Sequence, residues 1–251
     1  MKFDASSGER PLTSRRRSEY RSLVRAKGRR ELGQYLIEGV RAVEAAVLGG
    51  AELVDVVVSA SGDRVDRIRA MASCPVLSAS TRDVEAIGDA KTSQGIVAAA
   101  RIPAPATVPA GPVLVLDGVQ DPGNVGTLIR TAAWFGVQAV ICADGTADPW
   151  QPKVVRSSQG GLWDLAVVRS PDPVGLLAGR SMFIADMRGV PLSEWRPEPD
   201  AVLVLGSEAH GVSQAFREAS AGSVHIAGRG TATESLNVSV AGGILMAAWL
   251  G

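Results

Sequence analysis

The stretch Val113-Leu114-Val115-Leu116-Asp117-Gly118-Val119-Gln120-Asp121-Pro122-Gly123-Asn124-Val125-Gly126-Thr127-Leu128-Ile129-Arg130, continuing through Trp134 to Ala139-Val140-Ile141, decides the fold. An unbroken apolar run, Val113 to Leu116, meets a turn at Asp121-Pro122-Gly123-Asn124, then a helical stretch, then a second apolar run that begins at Val137. The order is strand, polar loop, helix, strand. A strand that is apolar at every position must be covered on both faces, so the sheet is expected to be parallel with helices on either side. The loop at the carboxyl end of its first strand is where such sheets place ligands. Asn124 and Gly126 open the helix, and Arg130 lies one to two turns in, where its guanidinium can reach back over the loop.

Downstream, the apolar run Ala201-Val202-Leu203-Val204-Leu205 empties into Gly206-Ser207-Glu208-Ala209-His210-Gly211. A glycine at the end of a buried parallel strand lets a ligand approach the backbone closely. Glu208 at the sheet's carboxyl edge needs a partner if it is buried, and Arg130 is a candidate. The same residues also read as turn glycines and a helix-start acid. A third segment runs Ser223-Val224-His225-Ile226-Ala227, then a Gly/Thr-rich loop, then Glu234-Ser235-Leu236-Asn237-Val238-Ser239-Val240-Ala241-Gly242-Gly243. Ser235 or Asn237 is placed to cap a final helix. His225 reads as a structural histidine and His210 as a loop residue, since neither has the neighbours of a catalytic triad. Between these segments, Pro152 to Gly161 reads as a helix leading into a turn, and Leu165–Val168 and Met182–Ala185 as strands.

Upstream, residues 1–13 carry Ser, Gly and Pro without periodicity and are expected to be disordered. Ser14 to Lys27 reads as an arginine-bearing helix. Tyr35-Leu36-Ile37, Leu53 to Val58, Val76-Leu77 and Gly95 to Ala100 read as strands. Val40 to Leu48, Arg64 to Ala72 and Arg82 to Ile87, the last capped by Thr81, read as helices. The alternation predicts a small α/β domain over residues 14–102. Pro103, Pro105 and Pro109 mark residues 103–111 as a stiff linker, and a second α/β domain follows over 112–251.

Formal net charge is zero, but its distribution is uneven. Arg10, Arg15, Arg16, Arg17, Arg21, Arg25, Lys27, Arg29 and Arg30 crowd one stretch in which Glu19 is the acidic residue. A basic arm on an acidic body reads as a handle for a polyanion, nucleic acid above all; a solvated helix or tail is the plainer alternative. Arginine in place of lysine favours phosphate, which the guanidinium grips in bidentate fashion. No Gly-x-Gly-x-x-Gly follows a strand and no Gly-Lys-Ser/Thr loop is present, so dinucleotide and nucleoside triphosphate sites are unsupported, a nucleotide-binding regulator included. There is no serine elbow and no metal-ligand spacing. The two cysteines, Cys74 and Cys142, stand far apart, which fits buried thiols in a reducing compartment. No apolar stretch is long enough to span a bilayer and the N-terminus lacks a signal-peptide core, so a cytoplasmic protein is expected.

Taken together, the three loops resemble the three signature motifs of the SpoU (TrmH) branch of the SPOUT RNA methyltransferases. Asp121-Pro122-Gly123-Asn124-Val125-Gly126 with Arg130 is similar to the first, Leu205-Gly206-Ser207-Glu208 with Gly211 to the second, and Ser235-Leu236-Asn237-Val238-Ser239-Val240-Ala241 to the third. Residues 35–47 and Ser93-Gln94-Gly95-Ile96-Val97-Ala98 resemble the family's N-terminal substrate-binding domain. The resemblance implies a small α/β RNA-binding domain before a C-terminal trefoil-knot domain, S-adenosylmethionine as cofactor, and a homodimer with a shared active site. It implies transfer of a methyl group to a ribose 2′-hydroxyl in RNA, with large-subunit (23S) rRNA favoured over tRNA. A non-catalytic RNA-binding or ribosome-assembly protein is the distant alternative. Carried over by position, Leu205, Gly206, Ile226 and Leu236 would hold the cofactor, and Asn124, Arg130, Glu208, Ser235 and Asn237 would line the reaction centre. Arg15, Arg16, Arg17, Arg25, Lys27 and Arg41 are the expected RNA contacts. The sequence departs from the family pattern at Gly228-Arg229-Gly230-Thr231-Ala232-Thr233, which would alter the adenine side of the pocket.

Overall fold

The computed structural model describes residues 9–89, 92–104, 107–230 and 235–251. The chain divides into two compact units, Met1–Pro103 with Trp150–Trp163, and Ala104–Pro149 with Asp164–Gly251.

In the first unit, strands β1 (Arg10–Pro11), β2 (Gln34–Glu38), β3 (Leu53–Val58), β4 (Val76–Ser78) and β5 (Ile96–Arg101) form a mixed sheet in the order β1-β4-β3-β5-β2. Its helices are α1 (Ser14–Leu23), α2 (Ala26–Leu32), α3 (Val40–Leu48), α4 (Asp63–Met71) and α5 (Thr81–Ile87). Tyr20 and Leu23 of α1, Leu36 of β2, Val57 of β3, Val84 and Ile87 of α5 and Val97 of β5 meet in one buried cluster. Three details differ from the expectation. Arg10 and Pro11 pair in parallel with Leu77 and Ser78, so the described end of the N-terminal tail is strand rather than disordered chain; residues 1–8, and 105–106 of the expected linker, lie outside the described residues. The arginine-bearing helix breaks in two at Val24-Arg25, where Arg25 is extended at φ −100°, ψ 142°. The break lets α2 fold back on α1, and Gly28 sits where a Cβ would come within 2.2 Å of the Ser22 carbonyl oxygen. Ser80, not Thr81, caps α5, its hydroxyl accepting from the Asp83 N–H at 3.1 Å.

Helix α6 (Pro122–Trp134), helix α7 (Pro152–Ser158) and a 3-10 turn at Gly161–Trp163 follow. Residues Trp150–Trp163, which fall inside the span 112–251 expected to form the second domain, belong instead with the first unit. The reason is aromatic and ionic. Trp150 packs on Tyr35 with ring centroids 4.9 Å apart, the Trp163 indole N–H donates to the Tyr35 hydroxyl at 2.9 Å, and Arg156 donates to buried Glu38 at 3.1 Å.

The second unit is built on strands β6 (Val113–Asp117), β7 (Ala139–Cys142), β8 (Ala166–Arg169), β9 (Met182–Pro191), β10 (Val202–Gly206) and β11 (Gly222–His225). All their pairings are parallel and the order is β11-β9-β10-β6-β7-β8. Val113 to Leu116 and Val202 to Val204 are fully buried, as continuous apolar runs in a two-sided parallel sheet must be. Short helices α8 (Pro173–Leu176) and α9 (Gln214–Ala219) and the long α10 (Val238–Leu250) complete the unit, with α10 lying against α6. Strand β9 extends six residues past the Ala185 end anticipated for it, to Pro191. Among the described residues no helix is long and apolar enough to cross a membrane.

Candidate active site

Strands β6 and β10 are direct neighbours in register, Leu116 opposite Leu205 and Asp117 opposite Gly206. Their following loops therefore leave the sheet at one level. The β10 loop closes into a tight hairpin through paired backbone bonds between Ser207 and Gly211 at 2.8 and 3.1 Å. Gly206 makes the hairpin possible: a Cβ there would sit 2.2 Å from the Gly211 carbonyl carbon. The Asp117 carboxylate ties the far end of the same loop down by accepting from the Ser213 N–H at 2.6 Å.

Helix α6 starts where Asp121 caps the Asn124 N–H at 3.0 Å with Pro122 in the first turn, an arrangement that suits both residue types. Asn237 caps α10, its Oδ1 accepting from the Ser239 N–H at 2.9 Å and the Val240 N–H at 3.4 Å. Glycine at position 242 lets α10 settle on α6 and β10, since a Cβ there would lie 2.5 Å from Leu128 and 2.7 Å from Leu205. That contact brings the three loops together. The Asn237 amide donates to Asn124 Oδ1 at 3.1 Å, and the Asn124 amide donates to Glu208 Oε1 at 2.6 Å. One hydrogen-bonded line thus joins a residue from each of the three segments. It fixes the Asn124 amide, whose carbonyl is spent on Asn237 and whose N–H₂ points at the carboxylate.

Glu208 is not paired with Arg130. Its partner is Asn124, and Arg130, exposed on α6, makes no hydrogen bond or ion pair among the described residues. On a helix of 3.6 residues per turn, Arg130 shares a face with Thr127 and Trp134 rather than with Asn124. The geometry of one chain therefore gathers Asn124, Glu208 and Asn237 and leaves Arg130 apart.

Two adjoining cavities open beside this line. One, of about 460 Å³, is lined by Val224, His225, Ile226, Gly228, Arg229 and Leu245 among others. The other, of about 660 Å³, is lined by Leu205, Gly206, Ser207, Glu208, Gly211 and Arg217 among others. Ala185, Asp186, Met187, Ser235, Leu236 and Ala241 line both. Ser235, with no other contact to the reaction line, and all four residues expected to hold a cofactor, Leu205, Gly206, Ile226 and Leu236, thus border one cleft. Residues 231–234 of the Gly/Thr-rich loop lie outside the described residues. His225 is satisfied structurally, its Nδ1 lying 2.7 Å from the Gly189 carbonyl oxygen. Asp186 and Arg217 escaped the sequence reading. Asp186 carried a usable signal, being the first polar residue after an apolar strand of a parallel sheet, whereas nothing local marks Arg217. The Arg188 N–H, against the opposing effect of burial and with help from Arg217, holds the Asp186 carboxyl below its usual range.

A family model described as the SpoU rRNA Methylase family matches residues 111–247, more than half of the chain. The chain belongs to the SpoU rRNA methylase family. A second model, the MRM3-like substrate binding domain, matches residues 18–98 of this SpoU protein. Among curated relatives, the 23S rRNA (guanosine(2553)-2′-O)-methyltransferase RlmP of Bacillus subtilis (strain 168) is 33% identical over 233 residues, covering 91% of this chain and 93% of that one. A solved structure of a putative RNA methyltransferase of the TrmH family from Porphyromonas gingivalis superposes with a TM-score of 0.85 at 33% identity, covering 95% and 98% of the two chains. The SpoU methyltransferase AviRb from Streptomyces viridochromogenes, solved in complex with the cofactor AdoMet, shares the fold with a TM-score of 0.86 at 24% identity over 94% and 97%. The SpoU fold thus accounts for both units.

The expected RNA contacts separate into two groups. Arg16 is turned inward: it donates to Asp55 at 2.8 and 3.0 Å and to Glu19 at 3.0 Å, and its side chain is 14% exposed. Arg17 is ion-paired with Asp83. Arg15 and Lys27 meet Glu19 and Glu31 but remain 90% and 80% exposed. Arg25 and Arg41 are exposed. Arg29, also in the basic run, is buried and donates to the Leu23 and Val24 carbonyls that end α1.

Proposed function

We propose that this chain transfers a methyl group from S-adenosylmethionine to a ribose 2′-hydroxyl of RNA, with 23S rRNA as the substrate. The observation that carries the reading is the line Asn237–Asn124–Glu208 at the edge of a cleft continuous with the β10 loop, in a chain of the SpoU family. The RlmP relative, named as a 23S rRNA 2′-O-methyltransferase, supports the substrate.

The cleft fits the cofactor's mixed character. Val224, Ile226, Leu236 and Leu245 offer an apolar wall for a purine, Gly206 offers bare backbone, and Asp186 offers a carboxylate. When bound, S-adenosylmethionine supplies an electrophilic methyl group. The protein's task is to orient a weakly nucleophilic alcohol and to help its proton leave. Asn124, held rigid by Asn237 and Glu208, Ser235 and Glu208 itself orient the hydroxyl. A guanidinium is a poor proton acceptor in proteins, so Arg130 grips a phosphate and stabilises negative charge developing on the 2′-oxygen, while the proton passes to a phosphate oxygen or water.

Arg130 stands apart from the other site residues within one chain, which supports a homodimer through the C-terminal unit in which the partner completes the site. Trp134, beside Arg130 on α6, is 85% exposed, and Val240 and Ile244 of the neighbouring α10 are exposed as well; apolar surface of this kind marks interfaces. The RNA is held by Arg15, Arg25, Lys27 and Arg41 of the first unit, and the reaction is cytoplasmic.

The test is transfer of labelled methyl by the purified protein to unmodified 23S rRNA and, separately, to tRNA, with mapping of alkali-resistant linkages. Label on one ribose of 23S rRNA is the expected result. Label on tRNA alone would reassign the substrate, and no label on either despite cofactor binding would favour a non-catalytic assembly role.

A further inference from the structure

Asp186 occupies the stretch of wall common to both halves of the cleft, together with Ala185, Met187, Ser235, Leu236 and Ala241. It follows the last apolar residues of β9 that pair with β10, and its side chain is 14% exposed. A carboxylate at this depth needs fixed partners, and two are present. The Arg188 N–H donates to Oδ1 at 3.0 Å and the Arg217 guanidinium donates to Oδ2 at 2.5 Å. Arg217 also donates through Nε to the Val212 carbonyl at 3.0 Å, at the end of the hairpin loop that carries Gly206 and Glu208. The same guanidinium therefore joins the wall of the cleft to the hairpin of the reaction centre.

With one donor to each oxygen, both Asp186 oxygens keep a further lone pair. Arg217 already balances the charge, so Asp186 is suited to accept hydrogen bonds from neutral hydroxyls rather than to serve as a counter-ion. The two halves of the cleft differ in kind: Val224, Ile226 and Leu245 line one, and Ser207, Glu208 and Gly211 line the other. A nucleoside-containing ligand that spans both places its ribose at their junction.

We infer that Asp186 accepts the ribose hydroxyls of the cofactor, and that Arg217 is a positioning residue that holds Asp186 and the Gly206–Gly211 hairpin in mutual register. The inference rests on the cleft being the S-adenosylmethionine site.

Calorimetric binding decides it without reference to turnover. Wild-type protein, Asp186→Asn and Arg217→Lys are titrated with S-adenosylmethionine, with S-adenosylhomocysteine and with the 2′-deoxy and 3′-deoxy analogues of S-adenosylhomocysteine, with thermal unfolding as the control for folding. Wild-type protein is expected to bind at least one deoxy analogue about tenfold more weakly than the parent, the size of a lost charge-assisted hydrogen bond. Asp186→Asn is expected to bind both parent compounds about tenfold more weakly and to lose the discrimination between hydroxyl and deoxy forms. Arg217→Lys keeps the charge but not the fork, and is expected to fall between the two. A variant at Asp186 that still discriminates would overturn the assignment, because a merely structural defect weakens all ligands alike. A loss confined to S-adenosylmethionine would also overturn it, by assigning Asp186 to the sulfonium charge. Failure of wild-type protein to bind either parent compound would remove the methyltransferase reading itself, and the inference with it.

Discussion

Arg16 lies in the middle of the basic run, yet its guanidinium stacks 4.7 Å from the Tyr20 ring centroid and forks onto Asp55, which also accepts from the Tyr20 hydroxyl at 2.6 Å. Burial works against its charge, but hydrogen bonds to Asp55 and Glu19 outweigh that and push its pKa up. Arg16→Ala would leave Asp55 buried beside a lone hydroxyl, so it should cost about 3 kcal/mol in urea unfolding. The salt dependence of RNA binding should be unmoved by that change, whereas Arg25→Ala should leave stability intact and reduce the slope of log affinity against log salt by about 1. Equal slopes for both variants and the wild type would take Arg25 off the RNA surface. Arg130 is the reverse case, a cation with nothing to hold among the described residues. Arg130→Ala is expected to lower methyl transfer about 10²- to 10³-fold while cofactor affinity, measured by calorimetry, stays at the wild-type value. Full activity would remove Arg130 from the mechanism. Charge counting could not tell these arginines apart, because it reports neither the depth of a side chain nor the carboxylate that waits for it from a distant strand.

Among elements, the run Val113–Leu116 and the helix after it are legible because an unbroken apolar strand followed by turn residues is a local signal, but the helix begins before Asn124: Asp121, expected in the turn, is its cap and Pro122 its first residue. The helix Val40–Leu48 is legible to its observed limits from its apolar spacing and from the glycines at its two ends, Gly39 and Gly49. Misreadings fell where tertiary contact overrides local preference. The break between α1 and α2 carries no proline, and it exists because Gly28 permits the close crossing at Ser22. The polar end of β9, which brings Asp186 to the cleft, continues as strand because β11 pairs with it as far as Pro191. The hairpin after β10 depends on two glycines, Gly206 at the close approach and Gly211 at φ +68°. Gly206→Ala places a methyl group against the Gly211 backbone, so the loop must open and displace Glu208 from Asn124. Cofactor affinity and methyl transfer should each fall at least about tenfold, while the buried sheet keeps thermal unfolding within a few degrees of wild type. Wild-type affinity in that variant would show that the hairpin does not shape the site.

At the scale of the whole molecule, the proposed homodimer makes a direct prediction. Trp134→Glu puts a charge into an exposed apolar surface on α6 and should convert a dimer to a monomer in analytical ultracentrifugation. Methyl transfer should be lost with it, although Arg130, Asn124 and Glu208 are untouched. A monomeric wild-type protein that turns over would sink the shared site. The sequence by itself determined the class of both units, the parallel character of the second sheet and the set of loops at its carboxyl edge. Continuous apolar strands, helix caps and turn glycines are local signals, and each is written within a few residues. Only the tertiary structure decided that Trp150–Trp163 returns to the first unit, that Glu208 takes Asn124 rather than Arg130, that Arg16 is a half-buried cation committed to Asp55, and that Asp186 and Arg217 brace the cleft. Each of those depends on a partner far away in the chain, Tyr35 for Trp163, Asp55 for Arg16, Asn124 for Glu208, Asp186 for Arg217. A side chain's hydrogen-bonding partner is settled by which strands lie next to one another and in what register, and no local pattern encodes that.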